Sequence, residues 1–349
     1  MKPVRIALIG CGGIGMSAHV PAMLRLPGAV KLVATADVRR EAAERAASIF
    51  GADAYTDYRQ AIERKDVDMV LLATPEFCHR VQTEAAAAAG KHVLSEKPMA
   101  TTLQDADRMI EACKVAGVKL MVAHSRRFTT RYQEVRKAID QGEVGVVRIV
   151  RENERRSRPV PGREGYWSPG HWTSDPNVAV GAILTNAIHE TDLIRWFTGL
   201  RPSRIYAEHK VTQKGGVVPD FISFMVEFAG GALGQAEVSN CLPEGCPFFH
   251  QFEVYGTRGY IKSKDADQLG LVRFDEGAAR FPDAYHTLLH FQDAYTLELS
   301  LFVQAVIEDL PVPLPAEEAR AALLLALAAA RSASTGRPVD VAAFERGYA

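Results

Sequence analysis

The sequence predicts two domains: an α/β domain over residues 1–124, and an α+β domain with a large, mostly antiparallel open sheet over residues 125–349. Three observations carry this prediction. Short apolar runs alternate with helical patterns at the start of the chain, as in a parallel sheet covered on both faces. A glycine turn, Gly10-Cys11-Gly12-Gly13-Ile14-Gly15, follows the first run at once. Beyond residue 200, apolar and polar residues alternate with period two between turn residues, which reads as hairpins with one buried face.

Taken in order, the run 4–9 is a strand, and the glycine turn leads from it into a helix. Residues 31–36 form a second strand ending at Asp37. Helical patterns follow over 41–50, 77–89 and 106–116, separated by apolar strands at 68–73, 92–95 and 119–123. Glycines 51, 90 and 117 stand where those helices should stop. The texture then changes. A helix over 130–141 precedes a strand over 146–153 and a long loop over 154–180, and a further helix spans 182–198. Strands are expected at 205–211, 221–228, 232–239 and 249–255, and two helical stretches close the chain, separated by Pro311, Pro313 and Pro315.

Composition narrows the function classes. The 349 residues are 47% hydrophobic and 24% charged with a formal net charge of −1, so nothing advertises nucleic acid or an anionic membrane as partner. The longest apolar run, 321–330, is half the length that crosses a bilayer, and the N-terminal run leaves no room for a signal peptide. Cys11, Cys78, Cys113, Cys241 and Cys246 are odd in number and contain neither a C-x-x-C pair nor the histidine spacing of a zinc site. The expectation is a cytoplasmic protein with reduced thiols, no metal, and Cys241 close to Cys246 in a loop.

The glycine turn points to a dinucleotide. Gly10 makes the sharp exit from the strand, Gly12 clears the place where a pyrophosphate meets backbone, and Gly15 lets helix and strand approach closely. Asp37, about twenty residues on, is placed to accept hydrogen bonds from the adenosine ribose. That carboxylate repels a 2′-phosphate and so favours NAD, while Arg39 and Arg40 keep NADP open. A glycine-rich hairpin is the bland alternative.

Ligands of an open parallel sheet bind beyond the carboxyl ends of its strands. Two segments end there: Thr74-Pro75, with His79 one helical turn on, and Ser95-Glu96-Lys97-Pro98. Pro98 favours an extended Lys97 at the strand tip, so Glu96 and Lys97 are both expected to point into the cofactor cleft. A nicotinamide carries only hydride, so an alcohol's proton needs a separate acceptor, which a lysine of lowered pKa can be. A surface lysine paired with its neighbouring glutamate is the alternative. Trp167 and Trp172, with Arg163, Tyr166 and His171, suit either a sugar's faces and hydroxyls or the packing of the loop itself. Tyr295 and His286 precede the terminal helices and are candidates for the cleft.

Together, Gly10 to Gly15, Asp37, Ala73-Thr74-Pro75 with His79, Glu96-Lys97-Pro98, His124 with Arg127-Phe128, and Gly181 to His189 with Asp192 and Trp196 resemble the Gfo/Idh/MocA family. The likeness runs over nearly the whole chain. It implies a Rossmann domain followed by an open-sheet domain, NAD(P) as cofactor, a sugar, cyclitol or related polyol as substrate, and a homodimer or homotetramer formed through the sheet. It implies Lys97 as acid/base and His189 as the active-site histidine. Glu96 falls at the nicotinamide ribose, and Arg127 with Thr185 and Asn186 at the substrate.

One departure stands out. Where the family often carries an aspartate four residues before the histidine, this chain has Thr185, which cannot hold a charge near neutral pH. On a helix Thr185, His189 and Asp192 would share a face. The expected activity is that of a polyol dehydrogenase. An NADPH-using keto-sugar reductase and a cofactor-sensing protein without turnover are the alternatives.

Overall fold

The computed structural model describes residues 2–157, 173, 175, 184–212, 217–242, 248–263, 269–273, 279–280 and 290–348. The chain forms two compact units that are not contiguous in sequence. Unit 1 holds Met1–Thr129 and Leu289–Arg320, and unit 2 holds Thr130–Leu288 and Ala321–Ala349. The nucleotide half thus takes in a segment far beyond residue 124.

In unit 1, β1 (Val4–Ile9), β2 (Val30–Ala36), β3 (Asp53–Tyr55), β4 (Met69–Leu72), β5 (His92–Glu96) and β6 (Leu120–Ala123) form a six-stranded sheet in the order β3-β2-β1-β4-β5-β6. Every pair is parallel. Burial explains this: β4 and β6 are buried at every position, which requires cover on both faces. The cover comes from α1 (Val20–Leu24, entered through a π-helical turn over Gly15–His19), α2 (Arg40–Phe50), α3 (Tyr58–Ile62), α4 (Glu76–Ala88) and α5 (Leu103–Ala116). Strand order reverses between β1 and β4, the place where such sheets open a crevice for a ligand.

The helix His290–Ile307 belongs to this unit. Its Leu299, Phe302 and Val303 enter the same apolar cluster as Ile6, Leu8, Met23 and Leu71. Each such buried side chain contributes roughly 1.5–3 kcal/mol. Its docking is therefore fixed by the core rather than by chain order.

Unit 2 is a nine-stranded sheet with α6 (Thr130–Asp140) and α7 (Ile188–Thr198). Its strands are β7 (Val147–Ser157), β8 (Pro202–Lys210), β9 (Phe221–Phe228), β10 (Leu233–Leu242), β11 (Phe249–Gly256), β12 (Gly259–Ser263), β13 (Leu269–Arg273), β14 (Ala279–Arg280) and β15 (Val339–Asp340), in the order β14-β13-β12-β11-β7-β10-β9-β8-β15. The period-two pattern is met: Ala236, Val238, Phe252 and Val254 are buried, while Arg151, Gln235 and Met225 on the alternate positions are exposed.

Hairpins do not describe all of the sheet. β10 runs parallel to β7, because a crossover containing α7 separates them in the chain. β7 also continues past the expected Asn153 to Ser157. Cys241 lies in β10, and Cys246 falls outside the described residues. Phe197 of α7 and Tyr132 of α6 place their rings 6.2 Å and 5.3 Å from Phe252, which locks both helices onto the buried face. Among the described residues no helix is long and apolar enough to cross a membrane.

Candidate active site

The nucleotide turn is built by sterics. Gly10 has φ +92°, and a Cβ there would lie 2.4 Å from the carbonyl oxygen of Ala73. A Cβ on Gly15 would lie 2.4 Å from the Gly10 carbonyl oxygen. Both glycines are demanded by the fold itself. Gly12 and Gly13 differ: a Cβ at either meets nothing within 4 Å. Their missing side chains leave open space that the fold itself does not need, while Ile14 packs against the core.

Asp37 closes this cradle. Its Oδ2 accepts the Cys11 N–H at 2.9 Å and its Oδ1 accepts the Arg39 N–H at 2.9 Å, so the carboxylate is oriented beside the turn with lone pairs left for ribose hydroxyls. The open backbone at Gly12 and the oriented acid fit a dinucleotide. Burial, then the Asp37 charge, pushes the Cys11 thiol up to about 12, which leaves it inert.

Beyond β4 and β5 the two predicted loops are clasped together. His79 is 1% exposed, with Nε2 2.9 Å from the Thr74 carbonyl oxygen and Nδ1 3.0 Å from that of Pro98. The ring thereby ties the backbone after β4 to the backbone after β5. Burial pushes its pKa down, so a neutral ring donates to one carbonyl at a time. The Thr74 hydroxyl donates to Gln82 at 2.6 Å, which fixes the segment leading to Pro75.

The Glu96 carboxylate is held at both oxygens: Oε1 meets His19 Nε2 at 2.9 Å, and Oε2 accepts the Lys97 N–H at 3.1 Å. Burial pushes this carboxyl up, but the His19 hydrogen bond and the charges of His19 and Lys97 outweigh it and hold the group below the usual range. Lys97 is thereby anchored by its own backbone at the end of β5, and its bond to Pro98 is cis.

Two residues that spacing did not place, His19 and Glu298, stand behind Glu96. His19, on the π-helical turn, meets Tyr295 edge to face at 5.1 Å. Glu298, one turn after Tyr295, is fully buried, and neither carboxyl oxygen has a hydrogen-bond partner among the described residues. Burial first, then the Glu96 charge, pushes its pKa well above the ordinary carboxylate value. Arg127 is buried and pairs with Glu318 at 3.2 Å. The link from the 290–320 segment back to β5 leaves no spacing signal.

In unit 2 the stretch before α7 is not one helix. Leu184 and Thr185 are helical, Asn186 and Ala187 form a turn, and α7 begins at Ile188, so Thr185 and His189 do not sit on a single continuous helix. The break follows the asparagine: its Nδ2 donates to Asn240 Oδ1 at 3.0 Å, and its carbonyl accepts the His189 N–H at 3.0 Å. Thr185, Asn186 and His189 are all buried. Arg163, Tyr166, Trp167, His171, Trp172, Gly181 and His286 fall outside the described residues.

Under the same sheet, His250 Nε2 meets Glu152 at 3.1 Å and Glu190 at 3.6 Å, while Tyr132 Oη lies 2.7 Å from Nδ1. Glu154, Glu190 and His250 bring ligand atoms within 4.8 Å of one another. Arg156 Nε sits 2.7 Å from Glu154, which puts a cation in the cluster already and marks it as a buried ion-pair network.

Comparison with known proteins agrees with this geometry. Residues 4–124 match the model of the oxidoreductase family with an NAD-binding Rossmann fold, and residues 132–262 match the GFO/IDH/MocA C-terminal domain. The myo-inositol 2-dehydrogenase of Thermotoga maritima is 30% identical over 345 residues, covering 97% of this chain and 98% of that one. A levoglucosan dehydrogenase solved with NADH and levoglucosan superposes with a TM-score of 0.86 at 26% identity, over 97% of this chain and all of that one. An oxidoreductase domain protein from Kribbella flavida gives 0.87 at 26% identity, over 98% and 100%. With both halves matched in order and an open glycine cradle to receive NAD, the chain belongs to the Gfo/Idh/MocA family of oxidoreductases.

Proposed function

We propose that this chain is an NAD-dependent dehydrogenase of a sugar, cyclitol or related polyol, with Lys97 as the acid/base. The observation that carries the reading is the position of Lys97. It follows β5 directly, its N–H is held by Glu96, and its loop is clasped by His79 to the loop after β4, within the unit that carries the nucleotide turn. Relatives named for inositol and levoglucosan support the substrate class.

The Gly10–Gly15 turn and Asp37 would hold NAD, which would supply the hydride acceptor for the alcohol carbon. The chain's own work is the proton. The Lys97 amine accepts it from the substrate hydroxyl and becomes an ammonium. Glu96, fixed by His19, keeps that residue's backbone from shifting as the charge changes. In this reading His189 orients the reacting hydroxyl, with Asn186, Thr185 and Arg127 contributing to substrate binding. Free thiols at Cys11, Cys78, Cys113 and Cys241 support work in a reducing compartment, the cytoplasm. The open face of the sheet in unit 2 is taken to meet a second copy, which sedimentation of the purified protein checks.

The test is a screen of inositols, sugars and sugar acids against NAD and then NADP, following the absorbance of reduced nicotinamide. One polyol should give turnover, and Lys97→Met should lose about 10²–10⁴-fold of it while still binding NAD. Full activity in that variant overturns the assignment of Lys97. Tight NAD binding with no turnover across the panel favours the sensor instead.

A further inference from the structure

One acid at the end of the sheet has no place in the scheme so far. Glu76 opens α4, immediately after the Thr74-Pro75 loop, and is 4% exposed. Its Oε1 is fully buried and has no hydrogen-bond partner among the described residues. Its own backbone N–H bonds the carboxyl, but the buried Oε1 still costs stability when charged unless a cation lies near. The neighbouring strand end carries Lys97.

Two facts of geometry bring them together. β4 and β5 are parallel neighbours with Leu72 opposite Ser95, so the chain leading to Glu76 and the chain leading to Lys97 leave the sheet side by side. The His79 ring then ties Thr74 to Pro98, two residues before Glu76 and one after Lys97. Burial raises the Glu76 carboxyl above its ordinary range, and its own backbone N–H and then the positive charge of Lys97 oppose that push.

We propose that Glu76 is a positioning residue for the reaction, acting through Lys97, whose ammonium form its buried carboxylate holds in place. This rests on Lys97 being the acid/base. The surrounding groups are otherwise engaged. On β5, Glu96 is bound to His19 of the π-helical turn. On α4 itself, His79 meets two carbonyls, and the Cys78 thiol is pushed up by burial and by Glu76. Towards α5, Arg80 holds Glu84 and Asp105, and Arg108 holds Glu84. On α3, Arg59 pairs with Asp57.

The sign follows directly. A neighbouring carboxylate favours the ammonium, so removing its charge lowers the pH at which Lys97 becomes a free amine. In Glu76→Gln the acid limb of kcat/KM should move down by about one pH unit, and Glu76→Asp should restore it. Lys97 is also followed without turnover, by NMR titration of the isotopically dimethylated lysine, assigned by its loss in Lys97→Met. The same downward shift is expected there in Glu76→Gln. A helix-start role alone leaves both titrations where they were, and that result overturns the proposal. Should Glu76→Gln not fold, Glu76→Ala with an unmoved limb and an unmoved Lys97 titration overturns it equally. Loss of activity in Lys97→Met with an unmoved limb in Glu76→Gln defeats this inference alone. A shifted NMR titration in a protein that turns over no polyol supports it and defeats the dehydrogenase reading.

Discussion

The turn at Gly10–Gly15 and the stretch at Thr185–His189 are both short, both carry candidate site residues, and are built by opposite means. At the turn the constraints are backbone sterics within a few residues: a positive φ at Gly10, a carbonyl 2.4 Å from where a Gly15 side chain would start, and open space at Gly12. In the second stretch they are side-chain partners from far along the chain. Asn186 is met by Asn240, 54 residues away, and Glu190 faces His250. A site made by sterics is written in spacing; a site made by partners is written only in the packed fold.

The sharpest way to break this contrast is within the turn. Gly10→Ala should cost roughly 3 kcal/mol or more of stability, because its Cβ meets backbone and its φ is wrong for alanine. Gly12→Ala should melt like the parent yet bind NAD about tenfold more weakly or worse, since only the ligand needs that space. Thermal melts and cofactor titrations of the pair decide it. Equal melting of the two variants would remove the distinction between fold glycines and ligand glycines.

In unit 2 the matching experiment is His250→Ala. Removing one member of the buried network with Glu152, Glu190 and Tyr132 should cost about 3 kcal/mol while leaving NAD affinity as it was. A small cost would mean that the network contributes specificity rather than stability.

The smallest effect sharpens the account of unit 1. The Glu298 carboxyl is raised above its ordinary 4.5, so the folded state binds its proton more tightly than the unfolded state. The stability this gives is full below the unfolded value and is lost as pH rises towards the folded one. Gln at this position cannot ionise. Glu298→Gln should therefore melt like the parent in acid and gain roughly 1–3 kcal/mol by about pH 8. A difference that does not grow with pH would show that Glu298 is charged.

Much of unit 1 was legible. The apolar runs at β1, β4 and β5, and Asp37 at the end of β2, fall where period and spacing put them, because buried parallel strands and tight turns leave few residue choices. Spacing singles out Glu96 and His79 but not their partners: His19 and the Pro98 carbonyl are 77 and 19 residues away. Around Thr185 the helical period concealed the turn at Asn186, since a side chain that engages Asn240 competes with the helix in a way no period records.

The sequence by itself determined the doubly wound nucleotide half, the glycine turn with its acid, and the alternation of the second sheet. These follow from local sterics and from which residues avoid water. Only the tertiary structure decided that the helix His290–Ile307 joins the first core, that Glu298 comes to rest near Glu96, and that β10 runs parallel to β7. Those choices depend on which surfaces fit and which buried charges find partners, and such energies act between residues whose distance along the chain is arbitrary.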